Sequence, residues 1–100
     1  MDDLYARFLP QFVALARTRL AQAISTAGAR DAAAVTTTVR ELHTLAGEAG
    51  LLGLRELVPL ARDCEQKAKQ LLTSRADADV EVLVVALRQL VGRIEEVAKA

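Results

Sequence analysis

Tryptophan is absent, tyrosine occurs once and phenylalanine twice, so aromatics make up 3% of a chain that is 52% hydrophobic. A core must therefore be built from Ala, Leu and Val, which is the composition of packed helices. Proline occurs only twice, leaving few obligatory helix breaks. Cysteine occurs once, as Cys64, so no internal disulfide can form, which fits a reducing compartment. An excess of either charge is missing as well. The 13 basic and 13 acidic residues cancel, leaving no basic field for a phosphate backbone and no polybasic cluster for an anionic membrane. No apolar run approaches the roughly 18 residues needed to span a bilayer, and Asp2 and Asp3 stand where a signal peptide would be basic. These absences predict a cytoplasmic protein that binds neither nucleic acid nor membrane.

What is present is helical periodicity. Leu4, Phe8, Phe12, Ala16, Leu20, Ala23, Ile24 and Ala27 recur at steps of three and four, behind a candidate N-cap at Asp2 or Asp3. Pro10 interrupts this run and predicts either a kink or a short N-terminal cap helix followed by a longer one. Gly28 ends the helix and Asp31 offers the next N-cap. A second helix is expected from about Ala32 to Leu52, with Gly53 as its stop. Leu54, Leu57, Val58, Ala61, Cys64, Ala68, Leu71 and Leu72 describe a third, whose start Pro59 either kinks or delays. After candidate caps at Asp77 and Asp79, a fourth runs through Val80, Leu83, Val84, Leu87, Leu90, Val91, Ile94, Val97 and Ala98, with Gly92 expected to permit a close helix contact. Short connections make neighbours antiparallel, and residues about ten positions on either side of Gly53 should lie level. The pattern predicts an all-α, antiparallel up-down-up-down four-helix bundle spanning residues 1–100 as one domain. One core uses up the apolar faces, which predicts a monomer.

Most polar features need no function. Cys64 falls on the apolar stripe of the third helix and reads as a buried structural thiol. Glu65-Gln66-Lys67-Ala68-Lys69 and Glu95-Glu96 read as solvated faces with local ion pairs. There is no metal-ligand spacing, no phosphate-binding loop and no nucleophile with a base beside it, so an enzyme with its own complete chemistry is not expected.

The stretch from Leu42 to Gly53 differs. It holds the only histidine and three of the five glycines. On a helical wheel Leu42, Leu45, Ala46 and Ala49 face the core, whereas Arg40, His43, Gly47 and Gly50 form a stripe roughly 110° to 130° away. His43 therefore points outward, on a surface that Gly47, Gly50 and the small Ala46 leave bare. Each internal glycine costs a helix about 1 kcal/mol relative to alanine, so a benefit must offset it. Close approach of another protein over the imidazole would be that benefit. Imidazole is nucleophilic near neutral pH and can take and return a phosphoryl group, while a metal and cations on the partner stabilise the transferring charge.

The pattern His43-Thr44-Leu45-Ala46-Gly47, with Gly53 closing the helix, resembles the histidine phosphotransfer (HPt) domain family of bacterial two-component phosphorelays, and the likeness covers most of the chain. The resemblance implies a four-helix bundle, often with a short N-terminal cap helix, and a phosphocarrier without autonomous catalysis. His43 would be the phosphoacceptor, shuttling the group between a histidine kinase or a receiver-domain aspartate and a response regulator. Gly47 would let the receiver dock, with Arg40, Ala46 and Gly50 around it. Magnesium would reside on the receiver, and the chain itself would need no cofactor. The family commonly carries Lys three residues after the histidine, where this chain has Ala46. Arg40, Arg62, Lys67 and Lys69 are the candidate substitutes. The family's frequent serine after the glycine is Glu48 here, which the wheel places well away from the imidazole. Two neighbouring expectations stay open: a bundle that docks a receiver without transferring, and the N-terminal phosphoacceptor domain of a chemotaxis-type kinase. A structural bundle with an incidental histidine is a third.

Overall fold

The computed structural model describes the backbone of residues 2–100 and side chains from Tyr5 onward. Four helices follow one another: α1 (Asp2–Ala27), α2 (Ala32–Leu51), α3 (Leu57–Ser74) and α4 (Asp77–Lys99). Each packs on its neighbours in the chain and α4 closes back on α1, while among the described residues the backbones of the diagonal pairs stay farther apart. With connections this short, that contact order is the expected antiparallel up-down-up-down bundle. Its extents of 43 × 20 × 18 Å match helices of this length lying side by side.

Pro10 does not divide the first helix. It lies within a single α1, and no separate cap helix precedes it among the described residues. Both Pro10 and Ala6, whose carbonyl loses its partner, are exposed, so water can satisfy the unpaired group and the ring meets no neighbouring helix. The expected cap at Asp2 or Asp3, and Leu4 on the apolar face, fall outside the described side chains. Phe8, expected in the core, is 39% exposed, and the buried stripe begins with Phe12 and Val13 and continues through Ala16, Leu20, Ala23 and Ala27.

Asp31 caps α2 as expected, its carboxylate accepting a hydrogen bond from the Ala34 amide at 3.2 Å. The opposite end is closed by Gly53 at φ +75°. Its amide donates to the Gly50 carbonyl at 3.1 Å, and the Leu54 amide donates to that of Ala49 at 2.8 Å. This pairing satisfies the last carbonyls of the helix and needs a left-handed residue, which glycine supplies without a Cβ clash. Pro59 sits near the start of α3. The helix starts at Leu57, so Pro59 falls in the first turn, where amides lack helical partners anyway.

Neither Asp77 nor Asp79 caps α4. The cap is Ala76, and both aspartates lie in the first turn, where the helix dipole favours their charge. Asp79 accepts from the Ser74 hydroxyl, and Asp77 pairs with Arg30 across the end of the bundle. Gly92 gives no close contact: a Cβ there would meet nothing within 4 Å.

The core joins Leu20, Leu42, Leu45, Leu57, Leu71, Leu83, Leu87, Leu90 and Ile94, all at or below 2% exposure. Each such side chain contributes about 1.5–3 kcal/mol by leaving water. The closest packing is between α2 and α3. Among the most buried residues of these two helices are the small ones, Ala49, Ala61 and Ala68 at 0% exposure and Cys64 at 1%. Small side chains let the two backbones approach, so polar groups on the outer edge of the interface are brought within reach of each other.

Candidate functional site

His43 rides on α2 between Leu42 and Leu45, both 2% exposed, which pin this turn of helix to the core. Its own side chain stays 80% exposed, so the outward orientation expected from the wheel is met. The ring is not isolated, however. Nδ1 lies 3.4 Å from Oε2 of Glu65 on α3. The pair also meets the register expected about Gly53, because the two helices run antiparallel from that turn.

Glu65 departs from expectation. Instead of belonging to a solvated face, its side chain is only 12% exposed, covered by the close approach of α2 and α3. The same Oε2 atom has a second partner: Lys69, one helical turn further along α3, places Nζ 3.3 Å away. His43, Glu65 and Lys69 thus form one array with the carboxylate at its centre. Its chemical effect is directional. A carboxylate beside Nδ1 favours the proton on that nitrogen and leaves the lone pair on Nε2, at the far edge of an exposed ring.

The surface along α2 is bare where expected. Gly47 and Gly50 are exposed; a Cβ at Gly47 would meet nothing within 4 Å, and one at Gly50 would make only an ordinary 3.9 Å contact with Val58. Neither glycine is needed for packing within the bundle. Ala46 is different: it is 4% exposed and belongs to the core, so it presents no surface to a docking partner. Arg40 is exposed one turn before His43, and no carboxylate lies within 4 Å of it among the described residues.

The other candidate cations separate as well. Lys67 is held by both carboxylate oxygens of Asp63 at 2.7 Å. Arg62 is exposed with no carboxylate within 4 Å among the described residues, and only Lys69 joins the His43–Glu65 pair. Glu48 points away from the imidazole and pairs with Arg19 of α1 at 3.4 Å, and Glu41 pairs with the same guanidinium. Glu95 is not merely solvated: it accepts two hydrogen bonds from Arg17, at 2.6 and 2.7 Å, tying α1 to α4. Cys64 is buried as expected, and burial, helped by Asp63, pushes its thiol up to about 12. No group of three His, Cys, Asp or Glu side chains among the described residues is placed to hold a metal ion.

One feature near the bare stripe escaped the wheel. Phe8, Phe12, Leu15, Leu51 and Leu52 line an open apolar cleft of about 320 Å³ between α1 and the end of α2, rimmed by Gln11 and Glu48. Leu15 is 46% and Leu51 79% exposed. Leucines lying off both apolar stripes were the available signal, since a bundle core has no use for them there.

No curated protein and no solved structure gives a significant match to the chain. The model of the Hpt domain matches residues 7–99 and so takes in nearly the whole bundle together with the exposed histidine. With that match the chain belongs to the Hpt domain family, phosphocarriers of two-component signalling that interact with kinases and receiver domains.

Proposed function

We propose that His43 is the phosphoacceptor of this domain and that it relays a phosphoryl group between an aspartate or histidine donor and the receiver domain of a response regulator. The observation that carries this is the ring itself, on an 80% exposed side chain, with Nδ1 3.4 Å from the carboxylate of Glu65, and set on a helix face that Gly47 and Gly50 leave bare.

The step balances without a group from elsewhere on this chain. Nε2 attacks the phosphorus of an aspartyl phosphate, a nitrogen–phosphorus bond forms, and the phosphorus–oxygen bond to the donor breaks, its electron pair returning to the aspartate carboxylate. The imidazole keeps its Nδ1 proton and becomes a cation, whose charge lies against Glu65. Return of the phosphoryl reverses each bond. Charge on the transferring group is met by the magnesium and cations of the receiver, which is why a carrier needs no active site of its own.

Arg40, Gly47 and Gly50 form the proposed docking face, and the exposed Leu51 extends it into the apolar cleft with Phe8 and Leu15. A patch of this kind suits a relay partner that must bind and leave, because such interfaces are small. The buried Ala46 favours a second reading, in which the bundle docks a receiver and transfers nothing, since α2 offers no cation on that side of the ring.

Incubation with candidate receivers preloaded with radiolabelled phosphate and magnesium separates the two. Acid-labile, base-stable label on this chain, lost in His43→Gln, is the expected result. Stable docking without label would establish the non-transferring module instead.

A further inference from the structure

We propose that the outer face of α4 is a self-association surface, on which a second copy of this chain packs antiparallel about a twofold axis between Val82 and Val85. A monomer needs every apolar face inside one core, and α4 does not meet that condition. Leu83, Leu87, Leu90 and Ile94 face the core at or below 1% exposure, while Val82 at 44% and Val85 at 56% stand on the opposite side of the helix.

These two valines belong to a continuous stripe. Ala78, Val82, Val85, Gln89 and Gly92 recur at steps of four and three, the spacing with which one helix presents a seam to another, and all five are exposed. An open groove of about 450 Å³ runs beside them, with Lys67 of α3 on its far wall. A face meant only for water would carry charges here. Gly92 adds to the contrast, because a Cβ there would meet nothing within 4 Å, so the glycine weakens α4 without serving the packing of the bundle.

Charge selects the occupant. Glu81 and Arg88 border the stripe on the flank of α1, and neither has an oppositely charged group within 4 Å among the described residues. Other charges around the stripe are engaged: Arg93 with Glu56 at 2.6 Å, Glu95 with Arg17 at 2.6 Å and Lys67 with Asp63 at 2.7 Å. An antiparallel second copy sets Val82 over its Val85 and Ala78 over its Gln89, and in that register Glu81 meets Arg88 of the second copy on both sides of the axis. The two charges complement each other. A parallel copy would instead bring Arg88 against Arg93 of the second copy, like charge against like. In the antiparallel register Gly92 lies over the turn at Arg75 of the second copy, where it leaves room for the backbone.

The surface is separate from the phosphotransfer face. α2, which carries His43, lies diagonally across the bundle from α4, so both histidines of the pair stay open to a receiver. Residues 78–92 make a seam of roughly 20 Å, and contacts of that size belong to weak, reversible pairs.

Sedimentation equilibrium of the full chain from about 10 μM to about 1 mM tests the proposal. The expected result is a monomer–dimer equilibrium within that range, abolished by Val85→Lys and weakened about tenfold or more by Glu81→Arg or by Arg88→Glu, each of which sets like charges together. Mixing the last two variants should restore the dimer, since one then carries both positive charges and the other both negative ones. All three positions are exposed, and thermal melts control for folding. A chain that stays monomeric up to the highest concentration leaves this face to another protein and overturns the assignment to a second copy. A dimer indifferent to both charge changes, one not restored in the mixture, or one lost in Leu51→Lys but kept in Val85→Lys overturns it equally.

Discussion

Nδ1 of His43 and Oε2 of Glu65 stand 3.4 Å apart across the α2–α3 interface, one on an 80% exposed side chain and the other on a side chain 12% exposed. The pair joins an exposed ring on α2 to a mostly buried carboxylate on α3.

Glu65→Gln should slow phosphoryl uptake by about tenfold, the usual cost of losing a group that orients a reactive imidazole. The fold should persist, since Gln fills the same space. Transfer rates from a loaded receiver check the first expectation, and ¹⁵N NMR checks its cause, because the neutral ring should become a mixture of tautomers. An unchanged rate and tautomer would remove Glu65 from the mechanism.

Gly47→Gln separates stability from docking. A Cβ at this position meets nothing within 4 Å, so the substitution should leave the melting temperature unchanged or raise it, by up to about 1 kcal/mol of helix propensity. Transfer should fall by more than about tenfold, because the new side chain stands where a receiver must approach. Normal transfer in the folded variant would mean that the bare surface is not used.

Gly53→Ala acts on the fold instead. At φ +75° an alanine is strained, costing about 1–2 kcal/mol and lowering the melting temperature by roughly 4–8 °C for each of these. A differential scanning calorimetry trace no lower than that of the parent chain would contradict the turn geometry.

The Arg17–Glu95 pair should show in the acid range. Hydrogen bonding to Arg17 holds the Glu95 carboxyl below its ordinary value of 4.5. A carboxylate lowered on folding contributes stability above its unfolded value, and that contribution disappears as pH falls through the folded one. The stability gap between the parent chain and Arg17→Ala should therefore be largest near pH 6, shrink below 4.5, and diminish in high salt. Urea melts at several pH values measure it; a gap independent of pH would exclude the linkage.

Cys64 should resist alkylation. With 1% exposure and a thiol pushed up to about 12, it offers almost no thiolate at pH 8. Iodoacetamide should label it only as fast as the bundle opens, and rapidly in urea; quick labelling of the native chain would place the thiol outside the core.

Much of the bundle was legible because helical burial repeats every three to four residues. The stripes through Leu42, Leu45 and Ala49 and through Leu83, Leu87, Leu90 and Ile94 are local properties of the chain, as are the stop at Gly53 and the cap at Asp31. The outward direction of His43 followed from the same period. The two prolines were harder to place, since their cost depends on where a helix starts and on what covers its free carbonyl.

Glu65 and Ala46 show where local pattern ends. The wheel puts Ala46 on the core side while the resemblance offers it as docking surface, and its burial leaves only the first; Glu65 lies beside Cys64 at the margin of the α3 stripe, where cover depends on how near the next helix comes. By itself the sequence determined four amphipathic helices, their antiparallel order and a histidine on an outer face beside two glycines. Only the tertiary structure decided that Glu65 is covered and stands beside the imidazole, and that Lys69 shares its carboxylate. The reason is distance. Periodicity fixes directions about one helix axis, whereas a contact of 3.4 Å depends on how closely two axes pack.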